Sequence, residues 1–333
     1  MTSVVPPSTG RRGRRTADVP TLVERAREGD ARSVARLISL VEDASPLLRD
    51  VAAALAPHTG RARVLGLTGP PGVGKSTTTT ALVRAFRQAG QRVGVLAVDP
   101  SSPFSGGALL GDRVRMQDHA GDSGVYIRSM ASRGHLGGLA WATPQALRVL
   151  DAAGCDVVLV ETVGVGQSEL EVASLADTTL VLLAPGMGDG IQAAKAGILE
   201  VADVFVVNKA DRDGADQSVR DLRAMLSLGG RHTQPGAWRP PIVKTVANRD
   251  SDSGVEDVLA RIEEHGAWLA ASGEGQRRRV ERASREVEAI ALAGLRERMG
   301  DVHGSAALAS LAEQVVAGQT DPYGAADALV AQL

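Results

Sequence analysis

Apolar residues fall into two rhythms along the 333-residue chain. In the middle they form short unbroken runs: Val64–Thr68, Val93–Asp99, Val125–Met130, Val157–Glu161, Thr179–Ala184, Val204–Asn208 and Ile242–Val246. The stretches between them have the length and character of helices. Continuous apolar strands separated by helices predict a parallel sheet covered on both faces. Residues 61–271 are therefore expected to form a doubly wound α/β domain with a mostly parallel sheet. Ahead of it, Leu22, Val23 and Ala26, then Val34, Leu37, Ile38 and Val41, follow a helical spacing, with a break at Pro46. This predicts an N-terminal helical extension over 19–60. Residues 1–18 are rich in Ser, Thr, Pro, Gly and Arg and are expected to be a disordered basic tail. The Arg11-Arg12 pair there lacks the apolar run that a secretory signal needs. Beyond residue 272 the strand pattern stops. Val280, Ala283, Val287, Ile290 and Leu295 give Gln276–Met299 one thin apolar stripe, and two further helical stretches follow, Ala306–Ala317 and Ala325–Leu333. The segment 272–333 is expected to be a helical arm with two possible fates, packing on its own domain or pairing with a second subunit.

Composition narrows the class. The chain is 44% hydrophobic and 23% charged, which suits a globular fold rather than a disordered one. Its 37 basic and 39 acidic residues leave a formal net charge of -2, which argues against a dedicated nucleic-acid binder. Aromatic residues make up 2%, too few for base-stacking platforms. The single cysteine, Cys155, excludes an intramolecular disulfide and a cysteine-built metal cluster, and fits a reducing, cytoplasmic compartment. No apolar run reaches the ~18 residues of a membrane span. Only four of the basic residues are lysines, Lys75, Lys195, Lys209 and Lys244, and there are only two asparagines, Asn208 and Asn248. Ammonium and guanidinium are not interchangeable in a tight cradle. The lysines that survive in an arginine-rich chain are candidates for such places.

One of them closes a phosphate-binding loop. Gly69-Pro70-Pro71-Gly72-Val73-Gly74-Lys75-Ser76, followed by Thr77, matches G-x-x-x-x-G-K-[ST] between a strand and a helix, the context that the motif requires. Its amides and the helix N-terminus suit phosphate oxygens, Lys75 the β- and γ-phosphates, and the Ser76 hydroxyl a Mg²⁺ ion. Carboxylates for that ion are sought at strand ends near the loop: Asp99, Glu161 and, in the following loop, Asp112, each with the alternative of an exposed loop carboxylate. Glu161-Thr-Val-Gly164 resembles the D-x-x-G element whose glycine senses the γ-phosphate. Gln167 stands three positions after Gly164, where Ras-like proteins place a water-orienting glutamine directly after the glycine. A slow intrinsic hydrolysis is expected.

Base choice is read from Asn208-Lys209-Ala210-Asp211, at a strand end. A carboxylate at Asp211 accepts from guanine N1–H and the 2-amino group, donors that adenine lacks. Thr245, Val246 and Ala247 follow the last strand and are candidates for a second loop beside the base, or for a plain turn. A Gly-rich loop carries Asp189, Gln192 and Lys195 on one helical face. Two readings stay open there, a solvated helix start and a nucleotide-responsive switch that meets a partner.

Together these motifs resemble the MeaB/ArgK family, which includes the human methylmalonic aciduria type A protein and belongs to the SIMIBI class of P-loop GTPases. The resemblance spans residues about 20–333 and is close to actinobacterial members. It is carried by 69–77, by Asp-Pro-Ser-Ser-Pro through Leu-Gly-Asp-Arg (99–113), by Ser-Met-Ala-Ser-Arg-Gly (129–134), by Glu-Thr-Val-Gly-Val-Gly-Gln-Ser-Glu (161–169), by the third switch and by 208–215. It implies a homodimeric GTPase, using GTP/GDP and Mg²⁺, that chaperones adenosylcobalamin-dependent methylmalonyl-CoA mutase or a related acyl-CoA mutase. Such a protein gates cofactor loading from an adenosyltransferase, and the mutase accelerates its hydrolysis. The family also implies that 272–333 is a dimerisation arm. From the motifs themselves, Lys75, Glu161, Gln167 and Lys195 are the catalytic candidates, Gln167 and Lys195 for orienting water. One departure stands in the third switch, where Gly190 and Ala196 replace a glutamate and a lysine. Two other classes of P-loop protein compete with this reading. A nickel metallochaperone GTPase of the hydrogenase or urease type needs convergent Cys/His ligands, and the six histidines are scattered. A P-loop ATPase or kinase has no use for Asp211.

Overall fold

A computed structural model of the chain describes residues 18–43, 45–100, 119, 121–132, 142–162, 168–186, 198–228, 236–249, 253–299 and 305–331. Seven strands form one sheet: β1 (Arg63–Thr68), β2 (Val93–Pro100), β3 (Val125–Ser132), β4 (Val157–Thr162), β5 (Thr178–Leu183), β6 (Val204–Val207) and β7 (Ile242–Lys244). Their order is β3-β2-β4-β1-β5-β6-β7, and every neighbouring pair is parallel. The continuous apolar runs follow from this arrangement. β4, β5 and β6 are buried at every position because helices cover both faces.

On one face, α4 (Lys75–Gln88) and α9 (Val255–Ser272) pack Leu82, Val83, Phe86, Val258 and Ile262 against Leu65, Leu67, Leu159, Leu180 and Val206. On the other, α6 (Ser168–Leu175) crosses β1 so closely that a Cβ on Gly66 would lie 2.6 Å from Val172 Cγ1. Further along that face, α8 (Ala215–Leu228) covers Val181, Phe205 and Val207. The far end is covered by α5 (Ala142–Ala152) together with the N-terminal helices α1 (Val19–Arg27), α2 (Ala31–Glu42) and α3 (Leu48–Leu55). Leu37, Ile38 and Val51 of the extension thus share a core with Leu96, Met130 and Val158 of the sheet. A helix over 48–55 lies beyond the Pro46 break. It went unread because it buries only Val51 and Leu55. The short α7 (Ile198–Val201) precedes β6.

The start of the sheet is held by aspartates. Asp156, Asp177 and Asp203 each stand just before a strand and accept an amide from or just before a neighbouring one: Arg92 N at 2.7 Å, Val64 N at 3.0 Å and Thr179 N at 2.8 Å. Asp151 of α5 likewise takes the amides of Gly60, Arg61 and Ala62 at 2.5, 3.2 and 2.9 Å, fixing the entry from the extension into β1. Also at this edge, His265 is fully buried. Its Nδ1 lies 2.8 Å from Thr178 Oγ1 and its Nε2 3.3 Å from Asp203 Oδ1, with the rings of Trp238 and Trp268 against it.

The chain divides into two compact units, one ending at Ser272 and one beginning at Gly273. The second is helical: α10 (Glu274–Met299), α11 (Ala306–Val316) and α12 (Pro322–Val330). Ser305 and Asp321 cap α11 and α12. Val280, Val287, Ile290, Leu292 and Leu295 stand exposed on α10.

Candidate functional site

β1 is central, with β5, β6 and β7 following outward on one side and β4, β2 and β3 on the other, so the direction of winding reverses at it. A ligand crevice is expected at the C-terminal end of such a switch point. The loop 69–74 occupies that place and passes directly into α4. Gly69 has φ +140°, and a Cβ there would stand 2.2 Å from the Leu182 carbonyl oxygen. Gly74 has φ +96°, and its Cβ would stand 2.4 Å from Asn208 Nδ2. Both positions need glycine for conformation and for space.

The carbonyls of this loop are tied outward. Lys75 Nζ donates to Gly69 O at 2.5 Å and Pro70 O at 3.0 Å. Lys209 Nζ donates to Gly72 O at 2.6 Å, and Asn208 Nδ2 to Val73 O at 2.9 Å. In a planar trans peptide the N–H points opposite to the C=O. Fixing the Gly72 and Val73 carbonyls therefore aims the Val73 and Gly74 amides the other way. The amides of Lys75, Ser76 and Thr77 belong to the first turn of α4 and have no intrahelical acceptor. The result is an anion-binding nest at a helix N-terminus. Pro70 and Pro71 contribute shape to it and no donors. Lys75 is itself buried, and an anionic phosphate is a stronger acceptor for it than two neutral carbonyls.

Glu161, 1% exposed near the end of β4, faces the same helix. Ser76 Oγ donates to its Oε1 at 2.5 Å, and Thr79 Oγ1 lies 3.0 Å from its Oε2. With its proton committed to Glu161, the Ser76 oxygen keeps lone pairs for a cation. The donors are hard oxygens, which suits Mg²⁺. Thr79 was not foreseen as a site residue. Its signal was its place three residues after Ser76, on the same helical face. Asp99 stands in β2, in register with Ala131 of β3.

The base-side residues lie at the ends of β6 and β7. Asn208 is buried, and its Oδ1 accepts from Thr245 Oγ1 and Ala247 N, both at 3.1 Å, while its Nδ2 holds the phosphate loop. Lys209 has φ +57°, a left-handed backbone at a non-glycine residue. The Arg212 amide on its carbonyl and its own ammonium on Gly72 hold it there. Val246 is tied to Ser253 through its amide. Asp211 is half-exposed, with the Arg249 guanidinium 3.9 Å from Oδ2. Arg249, too, was not singled out from sequence. The structure thus brings together Gly69–Thr77, Glu161, Asn208, Lys209, Thr245 and Ala247. Asp112, Gly164, Gln167, Asp189, Gln192 and Lys195 lie outside the described residues, as do Gly190 and Ala196.

Among the described residues, no group of three or more His, Cys, Asp or Glu side chains is placed to hold a metal ion. Burial pushes the Cys155 thiol up to about 12, which makes it a poor ligand. No described helix is long and apolar enough to cross a membrane.

Comparison with known proteins bears on family and fold. The family model described as methylmalonyl-CoA mutase-associated GTPase MeaB matches residues 34–302. A relative from Pyrococcus horikoshii is 45% identical over 315 residues, 95% of this chain and 98% of the relative. The GTPase ArgK of Escherichia coli is 38% identical over 267 residues, 78% of this chain and 80% of that protein. A solved structure described as an LAO/AO transport system kinase superposes with a TM-score of 0.68 at 27% identity, covering 97% of this chain and 98% of its own.

Proposed function

The chain belongs to the MeaB family and is a GTPase, and from that premise we propose that it serves as a Mg²⁺-dependent chaperone of an adenosylcobalamin-dependent acyl-CoA mutase, methylmalonyl-CoA mutase first among them. The observation that carries the nucleotide reading is Asn208. One buried amide side chain holds the phosphate loop through Val73 and the base-side loop through Thr245 and Ala247. Seating the base and seating the phosphates are therefore mechanically linked.

In this reading the amides of Gly72–Thr77 take the phosphates, and Lys75 exchanges loop carbonyls for phosphate oxygens. Asp211 accepts from guanine N1–H and the 2-amino group, and the Lys209 stem lies along the base. Ser76 holds Mg²⁺, with Glu161, Asp99 and Asp112 in its surroundings. Bound there, the ion would supply charge neutralisation to the phosphates. Gly164 senses the γ-phosphate, Gln167 and Lys195 are the candidates to orient water, and Asp189, Gln192 and Lys195 meet the mutase. The exposed apolar residues of α10 support homodimerisation through the second unit. The compartment is cytoplasmic, and the cofactor donor is an adenosyltransferase.

The test is GTP and ATP turnover by the purified chain, alone and with the acyl-CoA mutase from the same genome. Slow GTP-selective turnover that rises with the mutase is expected. GTP turnover indifferent to the mutase overturns the partner and leaves the GTPase.

A further inference from the structure

We infer that Thr79 is a positioning residue for the magnesium-shell carboxylate, acting through Glu161; the inference rests on the role proposed for Glu161. The element that begins with Glu161 resembles one that elsewhere begins with aspartate. Glutamate is longer by one methylene and has one more torsion to fix. Strand register sets Glu161 between Leu67 of β1 and Ala97 of β2. The Ser76 hydroxyl holds one of its oxygens. Thr79 Oγ1, fully buried, holds the other at 3.0 Å, so the carboxylate is gripped at both oxygens from one helix.

Thr79 Oγ1 also lies 3.0 Å from the Lys75 carbonyl. It has one proton to give. That carbonyl already serves the helix ladder as the i−4 acceptor, and the ionised carboxylate is the stronger acceptor. The proton therefore goes to Glu161. Ser76 and Thr79 sit one turn apart on the same face of α4, and α4 starts in the phosphate loop. The carboxylate is in this way registered to the phosphate loop, and not only to its own strand. Oxygen ligands around a metal are tuned by the groups that orient them. Thr79 should thus set how tightly Mg²⁺ is held once nucleotide is in place, and have little effect on nucleotide held without the ion.

The experiment titrates Mg²⁺ against the affinity of the full-length chain for a fluorescent GDP, with EDTA as the ion-free reference. Thr79→Ser and Thr79→Ala differ by one oxygen, and Thr79→Val keeps the volume without the hydroxyl. Thr79→Val and Thr79→Ala should raise the half-saturating Mg²⁺ concentration by about tenfold, the usual effect of losing an orienting group. Thr79→Ser should stay near the parent, and all three should keep the parent's affinity in EDTA. Thr79→Ala carries the comparison with Thr79→Ser if Thr79→Val fails to fold. An unmoved Mg²⁺ curve in the folded variants that lack the hydroxyl overturns the inference. So does a Thr79→Ser as impaired as Thr79→Ala, and so does an equal loss in EDTA. Glu161→Gln separates the two levels. If it shifts the curve and Thr79→Val does not, only Thr79 falls. If Glu161→Gln leaves the curve in place, the reading of Glu161 falls and takes Thr79 with it.

Discussion

Asn208 makes three hydrogen bonds from a buried side chain to two loops, and its removal should be felt at both. Asn208→Ala strands the Val73 carbonyl and the Ala247 amide. We expect a loss of about 1–3 kcal/mol in stability and a fall in both GTP and GDP affinity, measured by thermal melts and calorimetry. Asp211→Asn should leave the fold intact and turn preference from GTP towards XTP, because an amide donates to the xanthine oxygen. An unchanged GTP-to-XTP affinity ratio would refute the base-reading role. These two residues were legible because their motif sits at a strand end behind a phosphate loop. Thr79 was not. It is one of four consecutive threonines, 77–80, told apart only by helical phase. Its partner lies 82 positions away on another strand. The left-handed backbone of Lys209 was equally hidden, because its stabilising contacts come from the phosphate loop and from Arg212.

Elements are held at their ends as much as along their faces. Asp177 sits ahead of β5 and holds the Val64 amide of β1. Asp177→Ala should lower stability by about 1–3 kcal/mol through that unpaired amide, read as an earlier melt with the nucleotide site unaltered. Arg87 on α4 clamps Asp122 ahead of β3 through two hydrogen bonds of 2.8 and 2.9 Å. That guanidinium holds the Asp122 carboxyl below its ordinary 3.8, helped by the Gly124 amide. A depressed carboxyl contributes stability above 3.8 and loses it as pH falls through its folded value. Asp122→Asn should therefore be less stable than the parent at pH 7, with the gap closing below about pH 4. Acid titration of unfolding checks this. The strands could be read in advance because doubly covered strands are apolar throughout. Their ends were less clear. The run Ile242–Val246 reads as one strand, yet β7 stops at Lys244. From there Val246 turns away to pair with Ser253, and the base-side loop begins.

At the scale of the molecule, the α/β class followed from alternating runs, and every strand proved parallel. Strand order could not be read, since it is set by which helices cross which face, and Gly66 beneath Val172 shows how local such a crossing is. If the helical second unit pairs subunits, a chain ending at Ser272 should be monomeric by light scattering while keeping GTP turnover. A dimeric truncation would reject that role for the helices. The buried ring cluster around His265 adds an optical consequence. All three tryptophans, Trp141, Trp238 and Trp268, precede residue 272. Two of them pack against one buried imidazole, Trp268 stacked on it and Trp238 tilted. Indole emission therefore follows unfolding of the first unit alone, whereas helical ellipticity follows both. Where the two melting curves part, their separation measures how independently the helical unit comes undone.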